Sequence, residues 1–266
     1  MLEGKYNGKY FSVLGDSVST FEGFTEPDYA VFYTFGQKIA SGVLSYPDTW
    51  WGRVINALGG KLLVNNSFSG STVTWSPSYE IQSYACSDER TSSLDKGGVL
   101  PDVIMVFMGI NDWGMGRPPV NSGAGEDLTV FSDAYSEMLE KLKNNYFDAE
   151  IWCFTLPISR SSAKEDFVYP YEYGGIHISK YCDAIRDCAK RSGCKLIDLF
   201  ANAEPYDTTD GMHPNKEGML AIADGVLNRF NVIIIYLNSK VALWVDYSTF
   251  AYIFADKVKI SEMPDN

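Results

Sequence analysis

Histidine is scarce in this chain: His177 and His213 are the only two. Cysteine is sparse as well, with Cys86, Cys153, Cys182, Cys188 and Cys194 making an odd count that contains no CxxC pair. Two histidines and scattered cysteines offer no ligand set for a dedicated zinc site. The same cysteine pattern points to free thiols in a reducing compartment, and a cytoplasmic location is expected. Positive charge is also short: 22 Lys and Arg against 34 Asp and Glu give a formal net charge of −12. Such a surface repels phosphate backbones and argues against a nucleic-acid partner. No apolar run reaches the ~18 residues of a membrane span. The segment Met1 to Gly8 is short and polar, so no targeting leader is expected. Repeats and low-complexity tracts are missing too.

What remains is 266 residues, 45% of them hydrophobic, enough for one α/β domain with a sizeable core. Short apolar runs at Phe11–Leu14, Leu62–Asn65, Val103–Met108, Ile151–Thr155 and Leu196–Phe200 read as strands. The run at Val103 has no polar alternation, which suits a strand covered on both faces. Between these runs, apolar residues recur at helical spacing. Trp51, Val54, Ile55 and Leu58 mark one helix, closed by Gly59-Gly60, and a short helix is expected near Asp88–Leu94. Leu128, Phe131, Tyr135, Met138, Leu139 and Leu142 mark a long one; Ile178, Tyr181, Cys182, Ile185, Cys188 and Ala189 another. A last helix carries Leu220, Ala223, Val226, Leu227 and Phe230, with Pro214 placed at its first turn. Strand and helix thus alternate five times, which implies right-handed crossovers and a doubly wound three-layer α/β/α sandwich. The segment Val18–Asp48 reads as a long loop on the ligand side of the sheet.

The tail, residues 231–266, breaks this pattern. Apolar runs at Val232–Leu237, Val241–Val245 and Phe250–Ala255, with a turn at Asn238-Ser239-Lys240, read as added strands. The expected division is therefore an α/β domain over residues 1–230 and an extension over 231–266, which packs on the domain or on a second copy of the chain.

Chemistry-bearing residues fall just past strand ends, which share one edge in a parallel sheet. Gly15-Asp16-Ser17 follows the first strand, and Gly15 permits a sharp turn and close approach of a substrate. Gly70 follows the second, Asn111 the third, and His213 the last. Acyl transfer requires a nucleophile, a base, a group that orients the base, and donors for an oxyanion. Ser17 supplies a hydroxyl, and His213 is a base suited to neutral pH. Asp210, one turn earlier in Asp210-Gly211-Met212-His213, can reach the imidazole Nδ1–H, with Gly211 giving that turn its freedom. The N–H groups of Ser17 and Gly70 and the Asn111 amide complete a three-donor oxyanion hole. Asp112 reads as a buttress of the third loop. His177, between Gly175 and a helix, reads as a cap or surface residue.

Four blocks in this order resemble the SGNH hydrolases, also called GDSL-type lipases or acylhydrolases. They are Gly15-Asp16-Ser17, with Val18 where the family name has leucine; Asn66, Ser69 and Gly70; Gly109-x-Asn111-Asp112; and Asp210-x-x-His213. The resemblance spans about residues 9–230 and leaves out the tail. It implies a flavodoxin-like sandwich with five parallel strands, Ser17 as nucleophile, His213 as base, Asp210 as its orienter, Gly70 and Asn111 as oxyanion donors, and no metal or organic cofactor. The expected activity is that of a serine esterase acting on short-chain acyl esters, with acetylated carbohydrates as one substrate class. A lysophospholipase or thioesterase is the alternative within the enzymes, and a carbohydrate-binding module the alternative outside them. Tyr29, Tyr33, Tyr46, Trp50, Trp75, Trp113, Tyr169, Tyr171 and Tyr173 lie in or beside the ligand-side loops, where they either stack on a substrate or pack the loops onto the sheet.

Overall fold

The computed structural model describes residues 4–77, 83–123, 126–161, 166–230, 232–237 and 241–246. In chain order its elements are β1 (Tyr10–Gly15), α1 (Phe35–Ser41), α2 (Trp50–Ala57), β2 (Lys61–Ser67), α3 (Asp88–Ser92) and β3 (Val103–Phe107). These are followed by α4 (Ile110–Gly114), α5 (Phe131–Asn145), β4 (Glu150–Phe154), β5 (Ser159–Ser161), β6 (Glu172–Tyr173) and β7 (Ile176–His177). The remainder are α6 (Ser179–Ser192), β8 (Lys195–Ile197), α7 (Leu199–Asn202), β9 (Tyr206–Thr208), α8 (Lys216–Leu227), β10 (Val232–Leu237) and β11 (Val241–Asp246).

Five strands form one parallel sheet in the order β2-β1-β3-β4-β8. This is the flavodoxin-like order, with α2 and α8 packed together and α5 and α6 packed together as helical layers. All five residues of β3 are buried, because helices cover both faces of the central strand. Strand alternation puts Phe107 and Phe154 on one face, where the Trp50 ring of α2 meets them at 5.3 and 5.4 Å. On the other layer Phe131, Tyr135, Met138, Leu139 and Leu142 of α5 are all buried, the stripe their spacing implied. All five cysteines are free thiols; only Cys194 is partly exposed. No helix among the described residues is long and apolar enough to cross a membrane.

Several local expectations shift. The run Leu196–Phe200 is not one strand: β8 stops at Ile197, and Asp198 accepts the Ala201 N–H to open α7 at Leu199. A capping carboxylate inside an apolar run overrides strand propensity there. Pro214 lies outside α8, since Asn215 is the cap and its side chain accepts the Gly218 N–H. The segment 18–48 is not loop throughout, for it contains α1. At Gly15 a Cβ would lie 2.6 Å from Ser19 Cβ and 2.7 Å from Ser67 Oγ, so the close packing of this strand end requires glycine.

Beyond the sheet, β10 and β11 pair antiparallel from Val232↔Asp246 to Leu237↔Val241. The expected turn at Asn238–Lys240 and the third apolar run at Phe250–Ala255 lie outside the described residues.

Candidate active site

Strand order reverses between β1 and β3, and Ser17 and Asn111 follow those two strands. In open parallel sheets that reversal leaves a crevice at the C-terminal strand ends. Ser17 opens a single 3-10 turn, Ser17–Ser19, capped by the Asp16 carboxylate, which accepts the Val18 N–H at 3.0 Å. Asp16 is fully enclosed. Burial, helped by the nearby Asp112 charge, raises its pKa from 3.8 to about 7 against the pull of the Val18 N–H and of Arg90.

The loop after β2 is fastened to the end of β1 and to α4. Phe68 N–H donates to the Gly15 carbonyl at 3.1 Å, and the Asn111 side-chain amide donates to the Ser71 carbonyl at 2.8 Å. Asp112 accepts the Val73 and Thr74 N–H groups at 2.8 and 3.0 Å, the loop-buttressing position expected for it. Its own burial raises it to about 6. Gly70 is exposed at the tip of this loop, with no atom within 4 Å of where a Cβ would stand.

His213 sits in a loop held by hydrogen bonds on both sides of the histidine. The Gly211 N–H donates to Thr208 Oγ1 at 2.9 Å, and Thr209 N–H donates to the His213 carbonyl at 3.0 Å. Ser159 Oγ donates to Gly211 O at 2.7 Å, Tyr206 OH to Met212 O at 2.9 Å, and Tyr33 OH to Pro214 O at 2.7 Å. Gly211 adopts φ +100°, a conformation side chains disfavour, so the turn that returns His213 toward Asp210 requires glycine. Asp210 accepts both the Met212 and His213 N–H groups on Oδ1, at 3.0 and 2.8 Å. Its Oδ2 lies 2.7 Å from His213 Nδ1, and His213 Nε2 lies 2.9 Å from Ser17 Oγ. Partial burial opposes ionisation of Asp210, but hydrogen bonds from the His213 ring and backbone prevail and hold it at about 2. An ionised carboxylate can only accept, which assigns the proton to Nδ1 and leaves Nε2 as the acceptor facing the serine hydroxyl. An imidazole held in that tautomer can take a hydroxyl proton.

The structure thus joins Ser17, His213 and Asp210 in one hydrogen-bonded line, and ties Asn111 to the loop that carries Gly70. Two neighbours were not legible in the sequence. Arg90, on α3, is 2% exposed and donates to Asn66 Oδ1 and Asn66 O, to Ser71 and Ser83 Oγ, and to Gly15 O. It stitches the turn before Ser17 to the Gly70 loop, and burial lowers its pKa to about 10. Phe32 lies flat on His213, centroids 3.5 Å apart and planes at 10°. An arginine in a polar stretch and a phenylalanine in a loop carry no periodic signal; only their contacts give them away. Of the loop aromatics, Tyr33, Trp50 and Trp113 pack into the core, whereas Trp75 and Tyr171 stay about 40% exposed.

The family model for GDSL-like lipase/acylhydrolase matches residues 9–167, which take in Ser17, Gly70 and Asn111. No curated protein matches the chain significantly. Among solved structures, one described as a GDSL-like lipase from Bacteroides ovatus is 25% identical, with TM-score 0.65 over 84% of this chain and 98% of its own. Another so described, from Bacteroides uniformis, is 28% identical with TM-score 0.63 over 84% and 95%. A carbohydrate acetylesterase from Sinorhizobium meliloti, at 11% identity and TM-score 0.58 over 84% and 98%, shares the fold. With the family match over more than half its length and a five-stranded sheet of matching architecture, this chain belongs to the GDSL-like lipase/acylhydrolase family, hydrolases that act on ester bonds.

Proposed function

We propose that the protein is a serine esterase that cleaves short-chain acyl esters through an acyl-enzyme on Ser17. The observation that carries this reading is the line Asp210–His213–Ser17, with a local contact of 2.7 Å and one of 2.9 Å between side chains brought from opposite ends of the domain. In the proposed cycle Ser17 Oγ attacks the ester carbonyl as His213 Nε2 takes its proton. The oxyanion forms near the N–H groups of Ser17 and Gly70 and the Asn111 amide, which has a second N–H beyond the one given to Ser71. His213 returns the proton to the departing alcohol. It then takes a proton from water, whose oxygen attacks the acyl carbon, and the acid leaves as Ser17 regains its hydrogen. Asp210 stays ionised and steadies the imidazolium.

A preference for small acyl groups is supported by the position of Ser17, which is only 3% exposed. A recessed nucleophile is reached by an acetyl group more readily than by a bulky chain. We assign this activity to a domain spanning residues 1–230, with 231–266 as an extension. Hydrolysis of 4-nitrophenyl acetate, abolished in Ser17→Ala, is the expected result. Undiminished hydrolysis by Ser17→Ala overturns the reading, and a rate that climbs from acetyl to palmitoyl esters overturns the acyl preference.

A further inference from the structure

Phe32 and Tyr33 grip the His213 loop at two points. Tyr33 is fully buried and its hydroxyl donates to the carbonyl of Pro214, the residue after His213, at 2.7 Å. The Phe32 ring covers the imidazole face at 3.5 Å and 10°, and it meets the Tyr33 ring in a T-shaped contact at 5.0 Å and 79°. Thr20 links this clamp to the nucleophile. Its hydroxyl donates to the Ser17 carbonyl at 2.9 Å and accepts the Phe32 N–H at 2.9 Å. The turn that presents Ser17 therefore also places the ring that stacks on His213.

The stacking geometry is informative. Two neutral aromatic rings favour offset or edge-to-face contact over a close parallel sandwich, because their negative faces repel. A cation over the same face is attracted instead. The Phe32–His213 arrangement thus suits the imidazolium better than the neutral ring, and interactions that strengthen as charge develops are those that accelerate a reaction. The flat contact also obstructs rotation of the imidazole, which would take Nε2 off Ser17 and Nδ1 off Asp210.

We infer that Phe32 is a positioning residue for the hydrolytic reaction, holding the His213 ring in plane and stabilising it when it becomes protonated. The inference rests on the reading of Ser17 as nucleophile and His213 as base. It makes Phe32, and the Thr20 hydrogen bonds behind it, part of the apparatus that sets turnover rather than substrate affinity.

The test combines kinetics with proton NMR of the full chain, using 4-nitrophenyl acetate as probe. Phe32→Leu should lower kcat about 2- to 30-fold, the span expected for a cation held over an aromatic face, with KM changed by less than about 2-fold. Phe32→Tyr, which keeps the ring, should restore kcat. A role in packing alone would not distinguish the flat ring from an aliphatic side chain in one further readout. With only two histidines present, the His213 ring protons can be assigned with His213→Gln, and ring current should place them upfield in the native protein and in Phe32→Tyr. That native-protein measurement stands even if Phe32→Leu fails to fold. Unstacked chemical shifts for His213 in the native protein overturn the inference. So does a Phe32→Leu enzyme with native kcat, or one whose defect lies in KM. Ser17→Ala separates the two levels: if it retains activity, the esterase reading falls; if it is inactive while Phe32→Leu is unimpaired, only the inference about Phe32 falls.

Discussion

The two histidines occupy similar surroundings and yet differ in what they can do. Each lies next to a serine hydroxyl, each is covered by an aromatic ring, and each precedes a helix. His177 Nδ1 lies 2.8 Å from Ser179 Oγ and accepts the Ser179 N–H at 3.1 Å, and Tyr171 faces its ring at 5.6 Å. This is a capping contact at the start of α6, made two residues along the chain. His213 Nε2 meets a serine 196 residues away, its Nδ1 faces a carboxylate, and Phe32 covers it at 3.5 Å. The carboxylate is the deciding difference. At His177 the nitrogen nearest the serine accepts a backbone proton, so it is already occupied. At His213 the carboxylate takes Nδ1–H, and the opposite nitrogen is left aimed at a hydroxyl. A histidine beside a serine is therefore poised to take its proton only where the nitrogen facing the hydroxyl is not already accepting a backbone N–H.

That contrast can be broken most severely at the serines. Ser17→Ala should reduce kcat for 4-nitrophenyl acetate by about 10⁴-fold or more, whereas Ser179→Ala should leave it unchanged; equal losses would erase the distinction. Next comes the carboxylate. Asp210→Asn should cost about 10²- to 10⁴-fold in kcat, because an amide can donate to Nδ1 and stabilise the wrong tautomer. Steady-state kinetics showing a native rate would remove Asp210 from the line. Asn111→Ala should lower kcat by about 10²- to 10³-fold with a native circular dichroism spectrum.

A smaller effect concerns stability and pH. Burial raises Asp16 from 3.8 to about 7, so between those values the folded protein holds a proton that the unfolded chain has released. Stability from this group is then greatest below about pH 4 and declines as pH rises toward 7. Asp112 and Asp224, both raised to about 6, act in the same direction. Urea unfolding across this range should show a shallower decline in Asp16→Asn, by on the order of 4 kcal/mol. A slope identical to the native one would place the titration elsewhere. Smallest is His177→Ala, which should keep kcat within about 2-fold and lose about 1 kcal/mol of stability with the α6 capping contact.

Much of the architecture could be read before any coordinates. The five-fold alternation of apolar runs and amphipathic stretches anticipates a parallel sheet between two helical layers, while the order β2-β1-β3-β4-β8 comes from the tertiary structure. The failures are local contests between propensities. Leu199 and Phe200 look like strand, but Asp198 caps a helix over them; Pro214 looks like a helix start, but Asn215 provides the cap. Gly15 leaves room for Ser19 and Ser67, a packing role that its place at the end of a strand did not reveal.

The candidate site divides in the same way. Residue types and their positions after strands nominated Ser17, Gly70, Asn111, Asp210 and His213, since strand period and turn chemistry are local properties written in adjacent residues. Arg90, which gathers Gly15, Asn66 and Ser71, and Phe32, which lies on His213, were decided by tertiary structure alone. Gly15, Asn66 and Ser71 from Arg90, and His213 from Phe32, lie 19 to 181 residues away, and such contacts leave no period to detect. Sequence by itself determined which groups reach the edge of the sheet. Long-range packing determined which hydroxyl meets His213 Nε2 and what rests against the ring, because only chain closure brings those distant side chains within contact.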